Sequence, residues 1–452
     1  MAPSRRSKRL PILYLRGRMS WSMFSSTKYC FTGSLAALFT LLILGSGCSK
    51  AGSGTKPPTA EVEAKLTAIR QGGEPVTLTE LDAWYVEPPV AENAAPLYAE
   101  AFAAMTLEDA NSSSFREQNQ KALGPLHQAA ARTHCRYPVD LKAGYKASMP
   151  HLPKIKVCAQ LLAQQAFVAG ANGKMDIAAD SIIDGLRLAR SLNLEPAVIS
   201  QTTRVRAEQI AVAGLIQALD KGRLSEKDLG RLQSAFDETE KGGVGMFARA
   251  FAGERCMIIS LFQAPSQELV EALTTLKHPF PASFIDNYRR SSTNQEDFAF
   301  CLDALTSLVA AAKLPFPESL DVLSQQDEQV NKAQSKGYLI AGIMLPSLGK
   351  PLENSAARLG ELRAAQGVIA IERYRLTHAN ALPVGLSALV PQYLSAVPLD
   401  PFDGKPLRFK KTSPKGYVVY SIGQDRQDDG GTALKRDSPP GTKFDLVVDV
   451  RR

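Results

Sequence analysis

The chain has 452 residues, of which 22% are charged, and a formal net charge of +8 at pH 7. The first 47 residues carry seven Lys and Arg and no acidic residue, so 46 basic and 45 acidic side chains remain after them. This nearly neutral remainder gives no indication of nucleic acid as a partner, and none is expected. Its 405 residues are enough for two domains with a large core.

The first 47 residues have the layout of an export signal. A basic region is followed by the apolar run 34–44 and by small residues up to Cys48. The residues around Cys48 resemble a bacterial lipobox, which implies cleavage after residue 47 and acylation of the Cys48 thiol. By analogy with lipoprotein sorting, Ser49 implies the outer membrane. We therefore expect a lipid-anchored protein that faces the periplasm, with residues 48–60 as a flexible tether.

Two alternatives remain for this leader. It could be an ordinary cleaved signal peptide or an uncleaved membrane helix, although the apolar run is shorter than the ~20 residues that a span needs.

From residue 61 to about residue 350 the pattern predicts a multi-helix domain with little strand. The clearest unit is a helical hairpin of residues 151–168 and 175–194, joined by a Gly-containing turn. Its length is similar to that of a tetratricopeptide repeat, but the unit does not recur at a fixed period. Ser225 and Asp228 have the spacing of a capping box at the start of a helix. Further helices are predicted at 92–105, 197–220, 244–262, 295–312 and 319–335.

Four cysteines follow Cys48. An even number in an exported chain permits two disulfides with three pairings, and buried free thiols are the alternative. None of the four has the CxxC spacing of a metal site. They are Cys135, Cys158, Cys256 and Cys301.

The segment 351–452 predicts a small α+β unit. Residues 355–378 have apolar side chains at helical spacings, which indicates an amphipathic helix. Five prolines between 383 and 406 then exclude a long helix. Strand patterns at 407–409 and 417–421 predict a short antiparallel sheet. The fold expected for the whole chain is therefore mainly α, with a long helix packed on a small sheet at the C-terminal side.

This C-terminal segment resembles the corresponding region of the major pseudopilin of type II secretion systems. The resemblance rests on the Leu-Pro loop at 382–383, the Pro-Leu-Asp-Pro-Phe turn at 398–402 and the Gly-Tyr-x-x-Tyr-Ser-x-Gly pattern at 416–423. It implies a pseudopilin-like domain and a link to a secretion or pilus-like assembly. In that family the long helix is the N-terminal membrane helix, whereas here it is internal and carries charges that a bilayer excludes. Segments 87–89, 92–95 and 135–138 also resemble a group of bacterial lipoproteins of unknown activity.

The resemblance also implies a calcium site. Major pseudopilins bind Ca²⁺ in the loop after the Tyr-Ser-x-Gly strand, and Asp425 stands at a family ligand position, with Asp437 and Asp445 as candidates for the downstream ligand. Independently, Asp425 and Asp429 have part of the spacing of a calcium-binding loop, although the twelfth position is Arg436. We expect a weak site that orders the loop. The alternative is that these aspartates, with Asp400, Asp403 and Asp428, are solvated turn residues.

The sequence supplies little for catalysis. It has no HExxH pattern and no Gly-x-Ser-x-Gly elbow among its motifs. We expect a non-catalytic lipoprotein that acts as a scaffold or interaction module with an unidentified protein partner. The alternatives are an envelope hydrolase, whose cleft would gather His134, His151 and nearby acids, and a true pseudopilus subunit. The five histidines are His127, His134, His151, His278 and His378.

Overall fold

The computed structural model describes residues 57–106, 109–433 and 444–451. The predicted signal peptide, Cys48, most of the predicted tether and Asp437 lie outside these residues. Within them, no helix combines the length and the apolar character that crossing a bilayer requires.

The described residues are mainly helical and include a small antiparallel sheet, which confirms the coarse fold class. The helices are α1 (Ala60–Gln71), α2 (Leu78–Trp84), α3 (Ala95–Ala103), α4 (Phe115–Gln118), α5 (Gln120–Ala130), α6 (His151–Ala171), α7 (Met175–Arg190), α8 (Val198–Leu219), α9 (Glu226–Gly242), α10 (Met246–Gln263), α11 (Ser266–Thr275), α12 (Ala282–Arg290), α13 (Ser292–Ala311), α14 (Glu318–Leu323), α15 (Gln326–Ser335), α16 (Leu339–Met344) and α17 (Gly349–Thr377). The strands are β1 (Arg408–Lys411), β2 (Tyr417–Ser421) and β3 (Leu446–Val450).

The predicted helical hairpin is present as α6 and α7, and α8 packs against both. The turn between α6 and α7 contains Gly173 at φ 73°, a conformation that favours glycine. Ser225 caps α9 by accepting a hydrogen bond from the Asp228 backbone N–H at 3.1 Å, which is one half of the predicted capping box. The Asp228 carboxylate accepts a hydrogen bond from Ser225 Oγ at 2.6 Å. The segment predicted as one helix at 319–335 is instead divided into α14 and α15 by a turn at 324–325.

In the sheet, β2 lies between β1 and β3, and both pairs are antiparallel. The register places Arg408 opposite Tyr420 and Tyr417 opposite Val450. The pairing of β1 with β2 was predicted from the sequence, whereas β3 was not. All five residues of β2 are buried, because the strand is covered by its two neighbours and by α17.

Helix α17 packs against α8 and α9 and also against β2 and β3. One hydrophobic core therefore contains Leu215 of α8, Phe236 of α9, Ile369 of α17 and Val448 of β3. Small residues allow the close approach to the sheet, since a Cβ atom added at Gly367 would lie 3.3 Å from Val419 Cγ1. The helices before residue 350 and the segment after it thus share their apolar side chains.

Candidate functional site

The four cysteines are free thiols in the structure. Cys158, Cys256 and Cys301 are buried on α6, α10 and α13, and Cys135 is half-buried in the loop after α5. Burial raises the pKa of Cys135, Cys158 and Cys256 to about 12 in each case, so these thiols are in the unreactive form at neutral pH. The arrangement in the structure corresponds to the free-thiol alternative. Cys158 and Cys256 lie in one hydrophobic core and Cys135 packs against it, whereas Cys301 lies in another core.

Asp400 is a buried junction of the C-terminal segment. Its carboxylate accepts hydrogen bonds from the backbone N–H groups of Phe402 at 3.0 Å and Ile422 at 2.9 Å, and from Ser421 Oγ at 2.8 Å. It also pairs with Arg408 Nη1 at 2.6 Å. Asp400 thus joins the Pro-containing turn to the end of β2 and is not a solvated turn residue.

Asp403 lies on the other side of Arg408 and also pairs with it. Burial acts to raise the pKa of Asp403, but the hydrogen bonds from Arg408 and from the Lys405 backbone, together with the charges of these two residues, outweigh burial and lower the pKa.

Asp429 and Asp445 come together in the loop that was predicted to bind calcium. The Asp445 carboxylate accepts backbone hydrogen bonds from Asp429 at 3.3 Å, Gly431 at 2.8 Å and Thr432 at 3.1 Å. Burial raises the pKa of Asp445 despite these bonds. Asp429 Oδ2 is enclosed and has no hydrogen-bond partner among the described residues. A carboxylate oxygen is the type of ligand that a hard cation such as Ca²⁺ prefers.

Asp425 does not join this pair. Its side chain is exposed and accepts a hydrogen bond from the Gln427 backbone at 3.1 Å. The described residues contain no group of three or more acidic, His or Cys side chains arranged to hold a metal ion. Calcium binding by Asp425, Asp429, Asp437 and Asp445 stays a prediction.

A buried acid and base pair in the helical part is His151 with Glu195. Nε2 of His151 lies 3.0 Å from Glu195 Oε2, and the Tyr85 hydroxyl donates to the same oxygen at 3.3 Å. Ser200 Oγ donates to the other carboxylate oxygen. The Tyr137 ring stacks on the imidazole with centroids 4.2 Å apart. Glu195 is fully buried and His151 is 7% exposed, so this group is closed to solvent.

His134 lies in a different network. Its Nδ1 atom is 3.1 Å from Glu92 Oε2, and both side chains are about half exposed. Among the other histidines, His127 contacts Asp184, and this hydrogen bond raises the pKa of the imidazole. The structure therefore does not bring His134 and His151 into a common acid–base group.

The three segments that resemble a lipoprotein group meet around Asn93. Its Oδ1 atom accepts hydrogen bonds from the backbone N–H groups of Arg136 and Ala95, each at 3.0 Å. The Arg136 guanidinium pairs with Glu87 at 3.0 Å and lies 4.7 Å from the centroid of the Tyr85 ring. These hydrogen bonds and the ion pair connect the end of α2 and the start of α3 to the 135–138 segment.

A groove opens where α6, α8, α10 and α17 meet, with a volume of about 310 Å³. Leu152, Ile199, Val205 and Phe247 form much of its apolar wall. Its polar lining includes Lys156 and Arg206, together with amide and hydroxyl side chains. None of the described residues that line it is acidic. Sequence reasoning missed this groove because its lining is drawn from four helices that are far apart in the chain.

Buried charges lie close to the lining of the groove. Glu208 of α8 is fully buried and accepts hydrogen bonds from Arg204 Nη1, at 2.8 Å, and from Arg358 of α17. Arg358 also donates to the Thr239 carbonyl oxygen at 3.2 Å, so the same guanidinium reaches α9. One signal for this cluster was present in the sequence, since Arg204 and Glu208 are spaced four residues apart on one helix.

Glu361 of α17 faces Arg206 and Gln209 of α8. Burial raises the pKa of Glu361 to about 7, against the opposing effects of the hydrogen bond with Gln209 and of the charges on Arg206 and Arg358. Its Oε2 atom is enclosed and has no hydrogen-bond partner among the described residues. Burial lowers the pKa of Arg206, and the charge of Glu361 opposes that shift.

Comparisons with protein-family models, with curated proteins and with solved structures gave no match. The function of the chain must therefore be argued from its own residues.

Proposed function

We propose that the protein is a lipid-anchored, periplasm-facing envelope protein that acts as a scaffold or interaction module. The observation that carries this proposal is the open groove at the junction of α6, α8, α10 and α17. Its lining is apolar, amide, hydroxyl and cationic, which suits binding by shape and charge. The lipobox-like residues around Cys48 supply the anchor in this proposal, and several acyl chains hold such a protein stably at a membrane.

The burial of the His151 and Glu195 side chains supports a binding function over a hydrolytic one. A general base must reach the proton that it abstracts, and both members of this pair are buried beneath other side chains. His134, the second histidine that the hydrolase alternative requires, pairs with Glu92 in a separate network. Neither histidine lines the groove.

We further propose that the segment 351–452 is a pseudopilin-like unit linked to a secretion or pilus-like assembly. The order of a long helix, a Pro-containing loop and a short antiparallel sheet supports this proposal. A role as the pseudopilus subunit itself is less well supported, because α17 is packed on two sides by α8, α9 and the sheet. A filament subunit must have its long helix free to pack with other subunits.

The test begins with the anchor. Cys48→Ser should move the chain from the outer-membrane fraction to the soluble periplasmic fraction, and a variant that stays in the membrane would contradict the proposed anchoring. The interaction is tested separately by crosslinking in intact cells. An Ile199→Asp variant should lose the crosslinked partner of the native chain, whereas Lys227→Gln, an exposed change on α9 that does not line the groove, should keep it. Equal crosslinking by both variants would show that the groove is not the interaction site.

A further inference from the structure

We propose that the groove between α6, α8, α10 and α17 binds a single-chain anionic amphiphile, that is, one acyl chain with one negatively charged head group. This inference rests on the proposed function, since it treats the groove as the interaction site, and it specifies the chemical group that a partner must present there.

The apolar wall defines one end of the ligand. Val205 and Phe247 are buried at 4% exposure each, whereas Ile199 is 60% exposed at the rim. A large apolar side chain exposed beside buried apolar neighbours is covered when a ligand chain lies in the groove. Removing such surface from water is favourable in proportion to the area covered.

The charged lining defines the other end. The side chain of Lys156 is exposed and forms no hydrogen bond or ion pair with another described residue. The positive charge of Arg206 is partly compensated by the carboxyl group of Glu361, which faces it from α17. Because none of the described lining residues is acidic, the groove has an excess of positive charge and an anionic head group fits it best.

The size of the groove restricts the ligand to one chain. A volume of about 310 Å³ is at the lower end of the range of about 300–1,000 Å³ that is typical of small-molecule sites. A diacyl lipid would leave much of its surface exposed there. A carboxylate and a phosphate monoester could both supply the negative head, so a fatty acid and a single-chain phospholipid share the chemistry that the groove recognises.

The experiment uses the full chain with Cys48→Ser, purified without detergent so that no detergent competes for the groove. Binding of octanoate, decanoate and dodecanoate is measured by isothermal titration calorimetry below the micelle concentration of each. Affinity should rise by about fourfold for each added methylene until the groove is filled. Dodecyl phosphate tests the second head group, and whichever of the two anions binds more tightly identifies the source. Dodecanol and dodecyltrimethylammonium should bind at least about tenfold more weakly than the preferred anion.

Two groove variants and one control connect the binding to the structure. Lys156→Gln should weaken binding of the preferred anion by about three- to fivefold, as expected for a solvent-exposed ion pair. Ile199→Asp should weaken it by about tenfold or more, because it removes apolar contact and adds a negative charge. Lys227→Gln should bind as the Cys48→Ser chain does.

Equal binding of the neutral or cationic amphiphile, or unchanged binding by Ile199→Asp, would overturn the inference. The absence of binding by either anion would overturn it as well. These failures are distinct from a failure of the proposed function, because fractionation of Cys48→Ser and crosslinking in cells do not depend on the amphiphile.

Discussion

Replacing Glu361 by Gln should stabilise the protein at alkaline pH. The Glu361 carboxyl group is enclosed between α17 and α8, and its pKa is raised from 4.5 to about 7 because burial disfavours the charged form. In the unfolded chain the same group loses its proton near pH 4.5. Between these values the folded state binds more protons than the unfolded state, so the free energy of unfolding falls as pH rises from about 4.5 to about 7.

The magnitude follows from the size of the shift. At 1.36 kcal/mol for each pKa unit, the difference between 4.5 and about 7 corresponds to a penalty of about 3 kcal/mol above pH 7. Gln has nearly the same shape and no charge, so Glu361→Gln should raise the free energy of unfolding by about 2 to 3 kcal/mol at pH 8. At pH 4.5 the carboxyl group is largely protonated in the folded state, and the gain should be much smaller.

Urea unfolding followed by circular dichroism at pH 5, 6, 7 and 8 measures this effect. Glu353→Gln on the same helix is the matched control, since the Glu353 side chain is 42% exposed and pairs with Lys350. The urea midpoint of this variant should change little with pH relative to the native chain. If Glu361→Gln were less stable than the native chain at pH 8, the charges of Arg206 and Arg358 would outweigh burial. The reasoning from desolvation would then be wrong.

Three further predictions concern other parts of the molecule. Asp400→Asn should lower the free energy of unfolding by about 2 to 4 kcal/mol, because it weakens a buried, fully hydrogen-bonded junction with Arg408; urea midpoints measure this, and a loss below 0.5 kcal/mol would contradict the assignment. Calcium should raise the melting temperature of the full chain, and Asp425→Ala should abolish the shift; identical melting curves with calcium and with a chelator would leave these aspartates as turn residues. In the folded Cys48→Ser chain, the four thiols after residue 48 should react slowly with a thiol reagent, and in denaturant they should react rapidly. Disulfides would leave fewer than four of these groups reactive in denaturant.

Local patterns were sufficient to predict much of the helical part. Apolar periodicity located α6, α7 and α8, and the spacing of Ser225 and Asp228 located the start of α9. These features depend on residues that are close in the chain, so one sequence contains the information needed to recognise them.

The polar residues of α17 show where such patterns fail. Their charge suggested a helix with one solvated face, yet Arg363 pairs with Glu240 of α9 at 2.9 Å, and Glu372 accepts a hydrogen bond from the Tyr417 hydroxyl of β2 at 2.7 Å. These partners are distant in sequence, and periodicity does not reveal them. The groove was missed for the same reason, because its lining comes from α6, α8, α10 and α17. Strand β3 was missed although its apolar residues complete the core, since its pairing partner is β2 across a long loop.

The position of α17 between the helices and the sheet has a consequence for the order in which the chain can fold. Helices α8 and α9 are synthesised before α17, but the apolar faces that they turn toward α17 remain uncovered until α17 and then β3 have been made, with β3 following α9 by roughly two hundred residues. During synthesis and any transport across a membrane, those faces are open to chaperones, proteases and other chains. The nascent protein therefore keeps these apolar faces exposed until β3, its last strand, has been synthesised.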